Sequence, residues 1–106
     1  MTNSGMIVLK NNIKKVYSTI GVNIIRLRSA MTQNELAKKA GVSRSTISAI
    51  ERGSSISLEN LIKIANALNI KVADLFITDE ERREITYKHL LFWEQVSETF
   101  GIIKKQ

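Results

Sequence analysis

The sequence predicts an all-α fold, and three observations support this prediction. The 106 residues contain no proline, the residue that breaks helices most strongly. Apolar residues recur every three or four positions along most of the chain, which is the spacing of amphipathic helices. Serine and threonine precede several of these segments, and glycine or asparagine follows them, as at capped helix ends. A composition of 43% hydrophobic and 25% charged residues is that of an ordinary globular domain.

Residues 1–12 are predicted to form an N-terminal arm. Their short apolar run, residues 6–9, fits either a short strand or a flexible arm, because four residues show no periodicity. From Ile13 to Leu27 the apolar positions keep helical spacing and predict the first helix. Gly21 lies inside this helix, where glycine costs about 1 kcal/mol relative to alanine. It is either a tolerated defect or the point of a close helix crossing.

Two short helices follow, each with a predicted beginning and end. Thr32 and Glu35 form a capping box, in which each side chain bonds the backbone amide of the other residue. Gly41 is placed to end this helix in the left-handed conformation. Ser43 caps the next helix, and Gly53 follows its last turn.

The remainder of the chain predicts three more helical segments. Ser57 caps a fourth helix that ends near Asn69, and a short helical turn follows over residues 73–77. Thr78 or the residue after it caps the last helix, whose acidic first turn complements the helix dipole. Gly101 is placed to end that helix.

Charge divides the chain near residue 74. The net charge of +6 combines 11 basic and 3 acidic residues in 1–73, 3 basic and 7 acidic residues in 74–98, and the two lysines in 99–106. The aromatic residues shift as well, since the last quarter holds most of them: Tyr87, Phe92, Trp93 and Phe100. Unless the division is a chance partition of solvated charge, the basic body and the acidic, aromatic segment have different partners.

The composition also argues against several classes of protein. Without cysteine there are no disulfides, cysteine-bound metals or thiol chemistry, which fits a reducing cytoplasm. The one histidine, His89, lies among apolar residues and is expected to pack rather than act as a base. No glycine-rich phosphate loop or paired carboxylates appear, so we expect no enzyme, cofactor or metal. No apolar stretch approaches the about 18 residues of a membrane span, and the N-terminus lacks the features of a signal peptide.

Residues 33–53 have the features of a helix-turn-helix unit. Ala37 lets the two helices approach closely, and Gly41 makes the turn between them. Apolar side chains fill the angle between the helices: Leu36, Val42, Ile47 and Ile50. The outward face of the second helix carries Arg44 among short polar side chains. Such a face can enter the major groove of DNA while the arginine reaches a base edge.

Residues 32–53 read TQNELAKKAGVSRSTISAIERG. This segment resembles the Cro/CI (XRE-type) helix-turn-helix family, the phage-repressor-like DNA-binding domains. The likeness extends roughly from Val16 to Phe76. It implies a five-helix repressor-like DNA-binding domain whose third helix is the recognition helix, and we expect this domain to occupy residues 13–78. The last helix of this chain is additional to it.

The resemblance also implies roles for individual residues. Gln33 would contact a phosphate and support the first residues of the recognition helix, and Arg52 would meet the DNA backbone. Arg26 and Glu51 match a family pair that forms a partly buried ion pair; the alternative for Arg26 is a solvated charge. Solvated charges are also the alternative for Arg44 and Lys38. The residues expected to bind DNA are Gln33, Lys38, Ser43, Arg44, Ser45, Thr46, Ser48 and Arg52.

Residues 79–106 lie outside the resemblance and are predicted to pair two chains. Their helix has apolar residues on more than one face, so one face can dock on the domain while another meets a partner chain. The predicted dimerisation residues are Leu90, Phe92, Trp93, Val96 and Phe100. The alternative is packing within one chain.

We therefore expect a cytoplasmic, sequence-specific regulator of transcription that binds double-stranded DNA. A homodimer would repress by occupying a pseudo-palindromic operator, because two copies read two half-sites about 34 Å apart. The alternative is a protein-interaction module, such as an antitoxin or a restriction-modification controller, that also binds a protein partner.

Overall fold

A computed structural model describes residues 4–101, except for the side chain of Phe100. All regular structure in this part of the chain is helical, which confirms the predicted all-α fold. The α-helices are α1 (Ser4–Arg28), α2 (Gln33–Ala40), α3 (Arg44–Glu51), α4 (Leu58–Leu68) and α5 (Asp79–Phe100). A 3-10 helix, Val72–Phe76, lies between α4 and α5 and is the fifth helical segment of the predicted domain.

The helix ends are capped by the residues that the sequence indicated. The Thr32 hydroxyl accepts from the Glu35 amide at 3.0 Å, and the Thr32 amide donates to the Glu35 carboxylate at 3.4 Å. Gly41 ends α2 with a φ of 75°, in the left-handed region. At α5, the cap is Thr78, whose hydroxyl accepts from the Glu81 amide at 3.1 Å. These caps satisfy amide and carbonyl groups that have no partner inside a helix.

The predicted strand or flexible arm is wrong for residues 4–12, which form the first turns of α1; residues 1–3 lie outside the described residues. No proline interrupts the chain here, and lengthening an existing helix gains one backbone hydrogen bond for each added residue. Every described side chain from Ser4 to Val16 is exposed. We call residues 4–16 the α1 arm. Its apolar run has no cover, because Met6 and Leu9 are 56% and 53% exposed.

The hydrophobic core lies among α1, α2, α3, α4 and the 3-10 helix. Its most deeply buried large side chains are Ile20, Ile24, Leu36, Ile47, Ile64 and Leu75. The apolar stripe predicted for α1 enters this core only from Tyr17 onward, since Ile13 and Val16 are exposed. The second half of α1 is therefore part of the domain, and the first half extends from it.

Gly21 marks the point where α1 crosses the end of α3. A Cβ atom at this position would lie 2.5 Å from the Ile50 carbonyl oxygen and 2.9 Å from the Glu51 carbonyl oxygen. Both are backbone atoms, so they move only if α3 moves. A close helix crossing, the second of the two sequence-based alternatives, therefore accounts for this glycine.

The Asn23 side chain links the domain to α5 through hydrogen bonds. Its side chain is 1% exposed, and its Nδ2 donates to the carbonyl oxygens of Leu75 and Ile77, each at 2.8 Å. Its Oδ1 accepts from Arg82 Nη2 at 2.8 Å. Arg82 also donates to the Asp79 carboxylate at 2.6 Å, and this hydrogen bond lowers the pKa of Asp79. One buried amide thus holds both the end of the 3-10 helix and the first turn of α5.

Beyond this junction α5 leaves the domain. Every side chain from Arg83 to Gln95 is exposed, so the predicted docking of one α5 face on the domain is wrong for these residues. The apolar residues of this stretch are accordingly uncovered. Hydrogen bonds from Arg82 to Asn23 and Asp79 fix the first turn of α5, and residues 83–95 that follow it are exposed.

Candidate nucleic-acid interface

The turn between α2 and α3 is fixed by backbone hydrogen bonds and by a small residue. The amides of Gly41 and Val42 donate back to the carbonyl groups of Lys38 and Ala37, at 3.3 and 3.0 Å. Ala37 is 2% exposed and lies where α2 and α3 pack against each other. The two helices therefore have a fixed relative orientation, as presentation of one of them to a duplex requires.

The first turn of α3 presents a short, polar and positively charged surface. The Ser43 hydroxyl accepts from the Thr46 amide at 3.1 Å and lies within hydrogen-bond distance of the Ser45 and Thr46 hydroxyls, at 3.0 and 2.7 Å. Arg44 is exposed and makes no hydrogen bond or ion pair with any residue that the structure describes. Its guanidinium group is free to contact a base edge or a phosphate.

Ser48 and Arg52 lie one helical turn apart at the end of α3. Arg52 Nη1 donates to Ser48 Oγ, which orients the arginine along the helix. On α2, the Lys38 side chain is exposed. Together with Arg44, these basic residues give the exposed side of the helix-turn-helix unit a positive potential, which attracts phosphate.

Glu51 joins three helices, but its partner is not the predicted one. Its carboxylate accepts from Arg28 Nε at 2.6 Å and Nη2 at 3.2 Å, and from Gln33 Nε2 at 2.8 Å. The side chains of Glu51 and Arg28 are 5% and 20% exposed. The hydrogen bond to Glu51 raises the pKa of Arg28. The charged end of α3 is thereby tied to α1 and α2.

The predicted ion pair between Arg26 and Glu51 is therefore wrong. Residues two apart in an α-helix are rotated by about 200° around the helix axis, so their side chains lie on nearly opposite faces. Arg28 follows the buried Ile24 by four residues and shares its face, whereas Arg26 is exposed on another face. The four-residue step from Ile24 is the sequence feature that indicates Arg28 rather than Arg26. The expected support from Gln33 is also corrected, because Gln33 bonds the last residue of α3 rather than its first residues.

Three of the predicted dimerisation residues are exposed. Leu90, Phe92 and Trp93 are 62%, 57% and 51% exposed, and Val96 is half-buried. The Phe100 side chain lies outside the described residues. Trp93 Nε1 donates to His89 Nε2 at 2.8 Å, and its indole meets the Phe92 ring edge-on, with centroids 5.7 Å apart.

Among residues 4–101, no helix has the length and apolar character of a membrane span. The same residues hold no group of three histidine, aspartate or glutamate side chains that could bind a metal ion.

A helix-turn-helix family model matches residues 23–75, half of the chain. An uncharacterized HTH-type transcriptional regulator from Archaeoglobus fulgidus is 49% identical over 57 residues, which cover 53% of this chain and 81% of that protein. The chain belongs to the XRE-type helix-turn-helix family of DNA-binding transcriptional regulators. This family is not a class of enzymes.

Two solved structures resemble this helix-turn-helix protein. The restriction-modification controller protein C.AhdI from Aeromonas hydrophila is 35% identical with a TM-score of 0.55, over 57% of this chain and 96% of that one. The hypothetical transcription factor NHTF from Neisseria is 30% identical with a TM-score of 0.63, over 66% of this chain and 84% of that one. The α1 arm and α5 lie outside the segment that the family model matches.

Proposed function

We propose that this protein is a homodimeric repressor that reads a pseudo-palindromic operator by inserting α3 into the major groove. The observation that carries the proposal is Arg44, an exposed and unpaired guanidinium on the first turn of a short, polar recognition helix. An arginine so placed can donate two hydrogen bonds to the O6 and N7 atoms of guanine. The predicted range 13–78 holds the DNA-binding domain in this proposal, and its residues 13–16 belong to the exposed α1 arm.

The remaining predicted residues take supporting roles. Ser45 and Thr46 are short enough to let α3 lie deep in the groove, and Ser43 positions them through its cap. Arg52 contacts the DNA backbone beside Ser48. The other proposed DNA contacts are Gln33 and Lys38.

Dimerisation is proposed because one copy presents too small a reading surface. A single short recognition helix reaches few base pairs, whereas two copies read two half-sites one helical turn apart. The exposed side chains of Leu90 and Trp93, three residues apart on one side of α5, form a patch that a monomer leaves in water, and Phe92 is exposed on another side of the helix. Covering this patch supplies the apolar contact that holds the dimer together.

Substitution of Arg44 by alanine tests the proposed reading contact. We expect binding to a duplex selected from random sequences to weaken by about 1–3 kcal/mol, or about 5- to 150-fold, because one base contact is lost. Affinity for a scrambled duplex stays close to that of the wild type. The measurement is a fluorescence-anisotropy titration of both duplexes at several salt concentrations.

Two variants serve as controls for that titration. Arg52→Ala is expected to weaken binding to both duplexes equally and to flatten the salt dependence by about one phosphate contact. Lys71→Ala removes one exposed positive charge outside the helix-turn-helix unit and leaves sequence preference intact. If Arg44→Ala keeps the full preference for the selected duplex, Arg44 does not read a base.

A restriction-modification controller is the second candidate, favoured by the likeness to C.AhdI. It shares the DNA-binding mechanism and differs in the regulated genes. Mapping the selected operator onto the source genome distinguishes the candidates, because a controller's operator lies beside genes for a restriction endonuclease or its methyltransferase. A shallow salt dependence without any sequence preference would instead support a protein-interaction module.

A further inference from the structure

We propose that α5 of one protomer packs against the α1 arm of a second copy of this chain, and that the partner's α5 returns the same contact. This inference rests on the proposed homodimer and identifies the surface that receives α5. A two-fold axis between the copies makes the two contacts identical, as in most homodimers. Each copy then covers the apolar helix that the other leaves exposed.

The receiving surface begins as an apolar groove at the base of the α1 arm. The groove has a volume of about 390 Å³ and lies between α1 and the residues that begin α4 and end the 3-10 helix. Two of its lining side chains, Leu58 and Phe76, are 69% and 43% exposed. Entry of apolar side chains into a groove lined by such residues removes apolar surface from water and is therefore favourable.

An apolar stripe of side chains extends from the groove along the α1 arm. Apolar residues alternate at spacings of three and four: Met6, Leu9, Ile13, Val16 and Ile20. This is the spacing by which one helix packs along another in a coiled coil. The arm residues of the stripe are exposed, so the stripe is suited to receive a second helix.

The exposed part of α5 has the matching character. Tyr87, Leu90 and Trp93 follow one another at three-residue steps along one side of the helix, and all three are more than half exposed. At 1.5 Å per residue, the apolar segment 85–93 is about 13 Å long and fits along the about 20 Å of the α1 arm. Within one chain the two segments do not cover each other.

Charge favours the arm over a second α5 as the partner. The α1 arm carries Lys10, Lys14 and Lys15 and no acidic residue. Residues 79–98 carry six acidic and three basic residues, of which Glu84 and Glu94 flank the apolar segment and Glu84 pairs with Lys88 inside it. Packing α5 on the arm brings opposite charges together. Packing α5 on another α5 brings two negative helices together, which is unfavourable at ordinary ionic strength.

Crosslinking tests the predicted pairing, because the chain has no cysteine of its own. Equal amounts of a Leu9→Cys chain and a differently tagged Leu90→Cys chain are mixed and treated with a short bismaleimide, whose reach tolerates small changes in register. We expect the main crosslinked product to contain one chain of each kind. The matched control pairs Leu90→Cys with Ile25→Cys, an exposed α1 position outside the arm, and is expected to give little product.

The alternatives give different products. Crosslinks mainly between two Leu90→Cys chains would overturn the inference in favour of α5 self-pairing and leave the proposed homodimer standing. The second alternative is a monomer. If a chain that carries both substitutions crosslinks only within itself, and analytical ultracentrifugation gives a monomer mass, both the inference and the homodimer are overturned.

A charge reversal provides a second measurement that does not depend on crosslinker geometry. The double variant Lys10→Glu/Lys14→Glu is expected to dimerise about tenfold more weakly in sedimentation equilibrium, because attraction to α5 becomes repulsion. The control Lys38→Glu/Lys39→Glu makes the same change of charge on α2 and is expected to leave the dimerisation constant unchanged. Equal dimerisation constants for both variants would overturn the charge contribution of the arm and with it the inferred contact.

Discussion

Replacing Glu51 by alanine is expected to lower the free energy of unfolding by about 3 kcal/mol. The substitution leaves Arg28 without the carboxylate that accepts two of its hydrogen bonds, and Gln33 loses its bond as well. Removing one member of a buried pair costs about 3–5 kcal/mol, and the low end applies because the Arg28 side chain is 20% exposed and partly hydrated. Urea unfolding followed by circular dichroism measures the change.

Arg26 and Arg28 provide a matched comparison for this prediction. Arg28→Ala is expected to destabilise the protein strongly, and combining it with Glu51→Ala adds little further loss, because both variants remove the same interaction. Arg26→Ala removes the same type of side chain from an exposed position and is expected to change stability by less than about 0.5 kcal/mol. A larger effect of Arg26→Ala than of Arg28→Ala would contradict the observed pair.

Replacing Asn23 by alanine is expected to cost about 2–4 kcal/mol. The carbonyl groups of Leu75 and Ile77 lose their donor, and Arg82 loses an acceptor. Each buried polar group left without a partner costs about 1–3 kcal/mol. We expect a lower urea midpoint with little change in slope, because the native surface remains largely the same.

The control for Asn23 is Asn66→Ala, which removes an exposed asparagine from α4 and is expected to change stability by less than about 0.5 kcal/mol. Similar midpoints for the two variants would show that the junction on Asn23 contributes little. The same variants also test the anchoring of α5, because amide hydrogen exchange at the start of α5 should quicken only in Asn23→Ala.

Local chemistry made much of the domain predictable from sequence. The caps at Thr32 and Ser43 and the turn at Gly41 depend on residues within a few positions of each other. Their spacing therefore contains the information that determines the ends of α2 and α3. The family resemblance then predicted that α3 is the recognition helix, and the comparisons show the family.

The parts that sequence reasoning missed depend on contacts between distant segments. Asn23 is an ordinary polar residue in the sequence, and only its bonds 52 and 54 residues away make it a junction. The family pattern predicts Arg26, whereas the face of α1 that is buried at Ile24 places Arg28 beside Glu51. The α1 arm was missed because four apolar residues do not show whether a helix continues through them.

Which apolar side chains face water cannot be predicted from the sequence alone. Exposed side chains such as Leu90 and Trp93 have the same hydrophobicity in the sequence as buried ones. Only the structure shows that they leave the domain. Their cover must therefore be sought in a second molecule.

Selection of binding sites from a random duplex DNA library by the full chain is the most direct test of the central claim. A homodimer that reads DNA through α3 is expected to enrich an inverted repeat whose half-sites have centres about 34 Å, or a multiple of that distance, apart. Enrichment of a single half-site would contradict the proposed dimer. A library that shows no enriched sequence would contradict sequence-specific reading by α3.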